Sequence, residues 1–150
     1  MTETDRTNLR DKVWTAYSTA AEKPQEEHAF PVGRAFAESL GYPADLLDQL
    51  PAVASDAFAG VSNVSTFAEI PSGATILDLG CGAGLDALIA GRRVGPAGKV
   101  IAVDFSTAML TRARQAAAES GLRNLDARLK GHVGIVHPTN PSGRWLVFLM

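Results

Sequence analysis

The residues best placed to do chemistry lie between Asp78 and Asp104. Gly80, Gly82 and Gly84 alternate with Cys81 and Ala83, Asp78 stands two residues ahead of the first glycine, and Asp104 follows twenty residues after the last. Missing Cβ atoms let a ligand approach the backbone, and successive loop amides can face an anionic group. An acid at the position of Asp104, where a second strand should end, can accept both ribose hydroxyl hydrogens of a nucleoside lying across the strand ends. The chemistry implied is the binding of a nucleoside cofactor.

Glycine spacing and charge bear on which one. Dinucleotide sites favour G-x-G-x-x-G, whose third glycine allows close helix–strand packing beside a pyrophosphate. Here the pattern is G-x-G-x-G, and Leu85 stands where that third glycine would fall. Asp78 would repel a pyrophosphate but attract an ammonium group. S-adenosylmethionine has an amino-acid end carrying that ammonium, and NAD does not. An NAD-type oxidoreductase domain is therefore the weaker alternative.

The elements around these residues are legible from patterning. Thr75 to Leu79 is a short apolar run of strand formers that leads straight into the glycines. Leu85, Leu88 and Ile89 mark a helix closed by Gly95-Pro96-Ala97-Gly98, and Lys99 to Val103 reads as a second buried strand. Ser106 can cap a helix with Met109, Leu110, Ala113 and Ala117 inside, and Gly121 suits its end. Leu125, Ala127 and Leu129 alternate as a third strand. Strand–helix–strand–helix–strand predicts a parallel sheet with right-handed crossovers. After a loop-like stretch over 131–143, Trp145 to Met150 is an apolar run expected to form a fourth strand beside the first.

Upstream, residues 1–22 read as a helix with Leu9, Val13, Tyr17 and Ala20 or Ala21 on one face, broken at Pro24. Short helices carrying Val32, Phe36 and Leu40, then Ala44 to Leu50, follow, while 52–70 is irregular or partly helical. The expected division is a helical cap segment over 1–70 and a cofactor-binding core over 71–150.

The bulk properties exclude several classes. The 150 residues carry a formal charge of −2, with no basic footprint for nucleic acid or an anionic membrane. One cysteine, Cys81, precludes an internal disulfide or a multi-cysteine metal site. The polar N-terminus has no secretory apolar core, and no apolar run nears the ~20 residues that cross a bilayer. The expected setting is cytoplasmic.

Ile76 to Gly84 resembles the first motif, and Val100 to Ser106 the second, of class I S-adenosylmethionine-dependent methyltransferases. The resemblance spans about residues 70–125 and implies an α/β, Rossmann-like three-layer sandwich with a mostly parallel sheet. It implies that Gly80, Gly82 and Gly84, with Cys81 among them, wrap the methionine part of S-adenosylmethionine. It further implies that Asp78 orients the amino-acid end, Asp104 binds the ribose and Phe105 packs on the adenine. Gly84-Leu85-Asp86, Gly95 to Ile101 and Leu40 to Leu47 look most like the arsenite-methyltransferase branch. That branch uses several thiolates, which a thiophilic element requires, and Cys81 is the sole cysteine.

The expected acceptor is thus a small molecule, and no catalytic base or metal ligand stands out. The family's sheet is larger than the roughly four strands that fit here, so the expectation is a truncated core with N-terminal helices. Its third strand should also lead to an acid near the adenine, whereas Lys130, Gly131 and His132 follow here. An open sheet edge could then pair with another chain, and a non-catalytic remnant or interaction module is the alternative. Cys81 is more simply a packing residue than a nucleophile. Asp86 either caps its helix, the simpler role, or faces the cofactor. His28, His132 and His137 have no metal-ligand spacing and read as loop residues. Tyr17 either closes over the cofactor or joins the core, and Ser62 and Asn63 are candidates to line the pocket.

Overall fold

The computed structural model describes residues 3–129 and 145–149. The sheet orders its strands β3-β2-β1-β4, from β1 (Thr75–Leu79), β2 (Lys99–Asp104), β3 (Leu125–Leu129) and β4 (Trp145–Leu149). All three pairings are parallel, with Thr75 opposite Lys99 and Trp145, and Val100 opposite Leu125. This is the strand order of a Rossmann-like α/β fold. The C-terminal run sits beside the first strand, as its sequence implies.

Long apolar helices were not needed to build it. Five helices precede the sheet: α1 (Glu3–Glu22), α2 (Arg34–Ser39), α3 (Ala44–Asp48), α4 (Ala52–Ser55) and α5 (Val64–Phe67). The crossover helices are α6 (Leu85–Val94) and α7 (Thr107–Glu119). Both crossovers run the same way along the sheet, so right-handedness puts α6 and α7 on one face. Their residues Ala87, Ala90, Val94 and Leu110 bury Ile76, Val100 and Ala102. Ser106 caps α7, its hydroxyl accepting from the Met109 amide at 3.3 Å, a contact worth about 1 kcal/mol.

Side-chain alternation puts Asp78 on that same face, because it follows Ile76 by two and pairs with Ala102. Asp104 follows Ala102 by two and so shares the face. Both carboxylates therefore point toward the helix layer at the carboxyl ends of the central strands, where ligands of open α/β sheets bind.

The described residues up to Phe67 pack over α6 and α7 through Tyr42, Leu47, Leu50 and Phe58, which meet Leu88, Ile89 and Ala116. The stripe expected to bury α1 does so only at its C-terminal end, through Ala20 and Ala21. Leu9 is 54% and Val13 40% exposed, while the buried residues of α1 are Ser18, Ala20 and Ala21. Small side chains let α1 approach α7 closely, and the helix buries its C-terminal end only. Residues 52–70, read as irregular or partly helical, hold the single turns α4 and α5. The loop read at 131–143 and the residues His132 and His137 lie outside the described residues. Among the described residues, no helix is long and apolar enough to cross a membrane, and no group of side chains could hold a metal ion.

Candidate functional site

The turn after β1 is closed by the neighbouring strand. The amides of Gly80 and Cys81 both donate to the Val103 carbonyl, at 2.7 and 3.0 Å, and the Gly84 amide donates to Cys81 at 2.9 Å. The Gly82 amide donates to Asp104 Oδ2 at 2.8 Å. Four loop amides expected to face a ligand are thus spent inside the fold. This reverses the anion-nest expectation: the loop offers shape and a close backbone, with few free donors for a pyrophosphate.

Its glycines divide their labour. Gly82 has φ +53°, and a Cβ there would meet nothing within 4 Å, so its open side faces free space. Gly84, the residue before α6, has φ +90°, and a Cβ there would lie 2.9 Å from the Ala113 Cβ of α7. Gly84 is therefore required by helix packing.

A cleft of about 230 Å³ opens above the turn. Gly80, Cys81, Gly82, Asp104 and Phe105 line it, whereas Asp78 and Gly84 do not. Asp86 and Tyr17, each weighed for the site from sequence, join them, as do Leu85 and Met109 from α6 and α7 and Val13 and Val61 from the N-terminal segment. Tyr17 stacks on Phe30 (centroids 4.8 Å apart) and meets the edge of Phe105 at 5.8 Å, so it joins the core while bordering the cleft. The Ser18 and Ser106 hydroxyls bond at 3.0 Å, fixing α1 to the cap of α7. Ser62 and Asn63 do not line the cleft. The Ser62 carbonyl accepts from the Tyr42 hydroxyl at 3.2 Å, and the Asn63 amide group sits beside Gly41.

Three carboxylates converge here with little exposure: Asp78 0%, Asp86 2% and Asp104 6%. None forms an ion pair among the described residues. Asp104 Oδ1 also accepts the Ser106 amide at 2.8 Å. Burial raises the Asp104 pKa, and the Ser106, Gly82 and Phe105 amides oppose the rise. Both Asp78 oxygens lack a hydrogen-bond partner. Burial, with Asp86 and Asp104 nearby, pushes the Asp78 carboxyl up to about 8. Cys81 is 7% exposed and its thiol is pushed up by burial and by Asp78 and Asp104. A raised pKa and burial fit a packing role for this thiol.

Asp86 does not cap its own helix. Its Oδ1 accepts from the Tyr42 hydroxyl at 2.8 Å, the Ser65 amide at 3.2 Å and the Ser65 hydroxyl. The simpler capping role thus gives way to a tie between α6 and the N-terminal segment. His28 contacts the Lys23 carbonyl at 2.9 Å, in keeping with a loop position.

The Asp78 environment predicts a pH dependence. Between about pH 4 and 8 the folded chain keeps a proton on Asp78 that the unfolded chain has lost. The native state then binds more protons, so stability falls as pH rises through that window. The unfolding midpoint, followed by circular dichroism, should drop from pH 5 to pH 8. Asp78→Asn should be the more stable protein at pH 8 and show a flatter profile. An unchanged profile would mean that Asp78 is ionised throughout.

The comparisons with known proteins meet the geometry at this point. A family profile described as a methyltransferase domain matches residues 70–131. That segment is similar to methyltransferase domains. The arsenite methyltransferase of Halobacterium salinarum is 41% identical over 97 residues, covering 65% of this chain and 24% of its own. A 2-phytyl-1,4-naphtoquinone methyltransferase of Thermosynechococcus vestitus is 51% identical over 47 residues, or 31% of this chain and 21% of its own. The nocamycin O-methyltransferase of Saccharothrix syringae is 40% identical over 57 residues, or 38% and 20%. The chain thus spans no more than about a quarter of these curated relatives' lengths. The matched segment supplies β1, β2, β3 and the turn, while Tyr17, Val61 and the Asp86 partners come from outside it.

Proposed function

We propose that this chain is the S-adenosylmethionine-binding portion of a methyltransferase acting on a small molecule, with residues 71–150 as the cofactor core and 1–70 as a helical cap sharing its packing. The observation that carries this reading is the pair of buried acids, Asp86 and Asp104, that line the cleft with no ion pair among the described residues. Burying unpaired carboxylates is costly, and a cationic ligand offsets that cost. S-adenosylmethionine brings both a sulfonium and an ammonium, whereas a pyrophosphate would meet acids and a turn whose amides are already used.

The residues fit such a ligand. Asp104, held by two amides at the end of β2, is placed to accept ribose hydroxyls. Phe105 and Tyr17 offer aromatic faces for a base, and Gly82 leaves room for the ligand beside the turn. Asp78 lies behind the turn and does not line the cleft. When bound, the sulfonium supplies an activated methyl group for direct displacement, so the chain's task is positioning and exclusion of water. Val13 and Val61, apolar and exposed by 40% and 73%, border the cleft. They suit an organic acceptor, in line with the names of the naphtoquinone and nocamycin methyltransferases. A single buried thiol does not suit arsenite, despite the Halobacterium relative. The near-neutral charge favours a small acceptor over nucleic acid and fits a cytoplasmic setting. Strands β3 and β4 edge the described sheet and offer backbone for pairing with a second chain.

Calorimetric titration of the chain with S-adenosylmethionine and, separately, NADH tests the reading. Saturable binding of the former alone is expected. Binding of NADH, or of neither, would defeat it.

A further inference from the structure

The outer wall of the cleft belongs to two separate stretches of chain. Helix α1 contributes Val13 and Tyr17, and the run over 54–61 contributes Ala54, Phe58 and Val61. The buried residues where both meet α7 are Ala20, Ala21, Ala57 and Ala83 around Met109. Alanines let backbones come close, yet each has one carbon beyond the backbone, so packing alone sets the spacing weakly. The Ser18–Ser106 bond holds α1 to α7 but does not reach the 54–61 run.

Arg112 reaches both. It lies on α7 about one turn beyond Met109, half-buried, in a groove that shares no lining residue with the cleft. Its Nε donates to the Ala21 carbonyl in the last turn of α1, and its Nη1 to the Val53 carbonyl of α4 at 3.1 Å. Both carbonyls are among the last four of their helices, which lack an intrahelical donor. The carboxylates of Glu22, Asp56 and Glu119 line the same groove, yet Arg112 forms no ion pair among the described residues. The guanidinium is thus committed to the two carbonyls. Its planar, permanently charged fork has fixed donor directions, and its bonds are stronger than neutral ones.

We propose that Arg112 is a positioning residue for the cofactor. From outside the cleft it sets the spacing between α1 and the 54–61 run, and with it the place of the Tyr17 ring against Phe105. The inference rests on the cofactor reading above. Tyr17 stands four residues before Ala21, about one helical turn, so a shift of the tethered carbonyl carries the ring with it. With the tie in place the wall is ordered before a ligand arrives. Without it, the ordering falls on the binding step and weakens affinity.

Calorimetric titration of the full chain with S-adenosylhomocysteine, well below each variant's unfolding midpoint, is the test. Arg112→Ala should weaken binding about tenfold. Arg112→Lys keeps the charge and the stem but not the two fixed donor directions, so a loss of about threefold is expected. Arg92→Ala is the control for lost stability. It removes a bond of the same kind, from the guanidinium to the Gln49 carbonyl at 2.6 Å, between residues that do not line the cleft. Its midpoint should fall too, while its affinity stays within about twofold. A double-mutant cycle separates positioning from support of the fold: with Tyr17→Leu already present, removing Arg112 should cost less than about twofold more. If Arg112→Ala does not fold, Arg112→Lys is measured in both backgrounds. Full affinity in the Arg112 variants, a loss in Arg92→Ala equal to theirs, or an undiminished Arg112 effect beside Tyr17→Leu would each overturn the inference and leave the cofactor reading standing. An unaltered protein that binds neither S-adenosylmethionine nor S-adenosylhomocysteine would defeat that reading, and this inference with it.

Discussion

Asp104→Ala is expected to weaken S-adenosylmethionine binding by about a hundredfold, the largest effect of any side-chain truncation at the cleft. Two losses combine. The first is the acceptor for two ribose hydroxyls, and hydrogen bonds to a charged group are worth about 1.5–3 kcal/mol each before the cost of stripping water from the ligand. The second is internal. Asp104 joins the Gly82 amide at 2.8 Å to the Ser106 amide at 2.8 Å, so it fixes the turn against the start of α7. Without it, Gly82 is free to leave the position that makes room for the ligand. Asp104→Asn separates the two losses. An amide keeps one acceptor but must turn its NH2 toward either Gly82 or Ser106, so a smaller loss of about tenfold is expected. Calorimetry gives the affinities, and thermal unfolding shows whether the fold survives. Unchanged affinity in Asp104→Ala would remove Asp104 from the ribose.

How far the sequence reaches depends on how local each constraint is. Strands β1 and β2 were legible because parallel strands covered by helices read as unbroken apolar runs, and Ile76, Val100 and Ala102 are such residues. The same holds for the cap at Ser106, which needs only an amide three residues on. The turn was legible as a turn, but glycine spacing does not say where its amides point. The carbonyl that takes two of them belongs to Val103, on another strand. Helix α1 misled in a different way. Its apolar period marks Leu9 and Val13 as much as Ala20 or Ala21, yet close approach to α7 is made by Ser18, Ala20 and Ala21, whose smallness matters and whose hydropathy is slight. Asp86 was hardest, since an acid in a first helical turn has a sufficient local explanation in the helix dipole. Its actual partners lie 44 and 21 residues upstream. A buried-looking Tyr42 between Gly41 and Pro43 was the available signal, but nothing in sequence connects it to α6.

The turn itself supplies the second large effect, through a contrast between two glycines that look equivalent in sequence. Gly84→Ala should destabilise the fold by about 3 kcal/mol, lowering the unfolding midpoint by roughly 10 °C. The residue has φ +90°, and the new methyl would sit 2.9 Å from the Ala113 Cβ and 3.2 Å from its Cα. That Cα is backbone of α7, so relief requires α6 and α7 to separate, which would loosen Ala87, Ala90 and Leu110 together. Gly82→Ala should cost only the left-handed backbone, about 1 kcal/mol, because φ is +53° and no atom lies within 4 Å. Its methyl would instead occupy the open side of the turn and lower S-adenosylmethionine affinity by more than tenfold, the worth of about 1.4 kcal/mol. Affinity in Gly84→Ala, measured well below its midpoint, should stay within a few-fold of the unaltered protein. Unfolding and titration of the two variants side by side would expose an error readily: if both lost stability equally, or if Gly82→Ala bound normally, the free space beside Gly82 would not be where the ligand lies. In G-x-G-x-G, then, the middle glycine makes room for the ligand and the last lets two helices meet. Leu85 can stand where a dinucleotide site keeps its third glycine because Gly84 already provides the close approach.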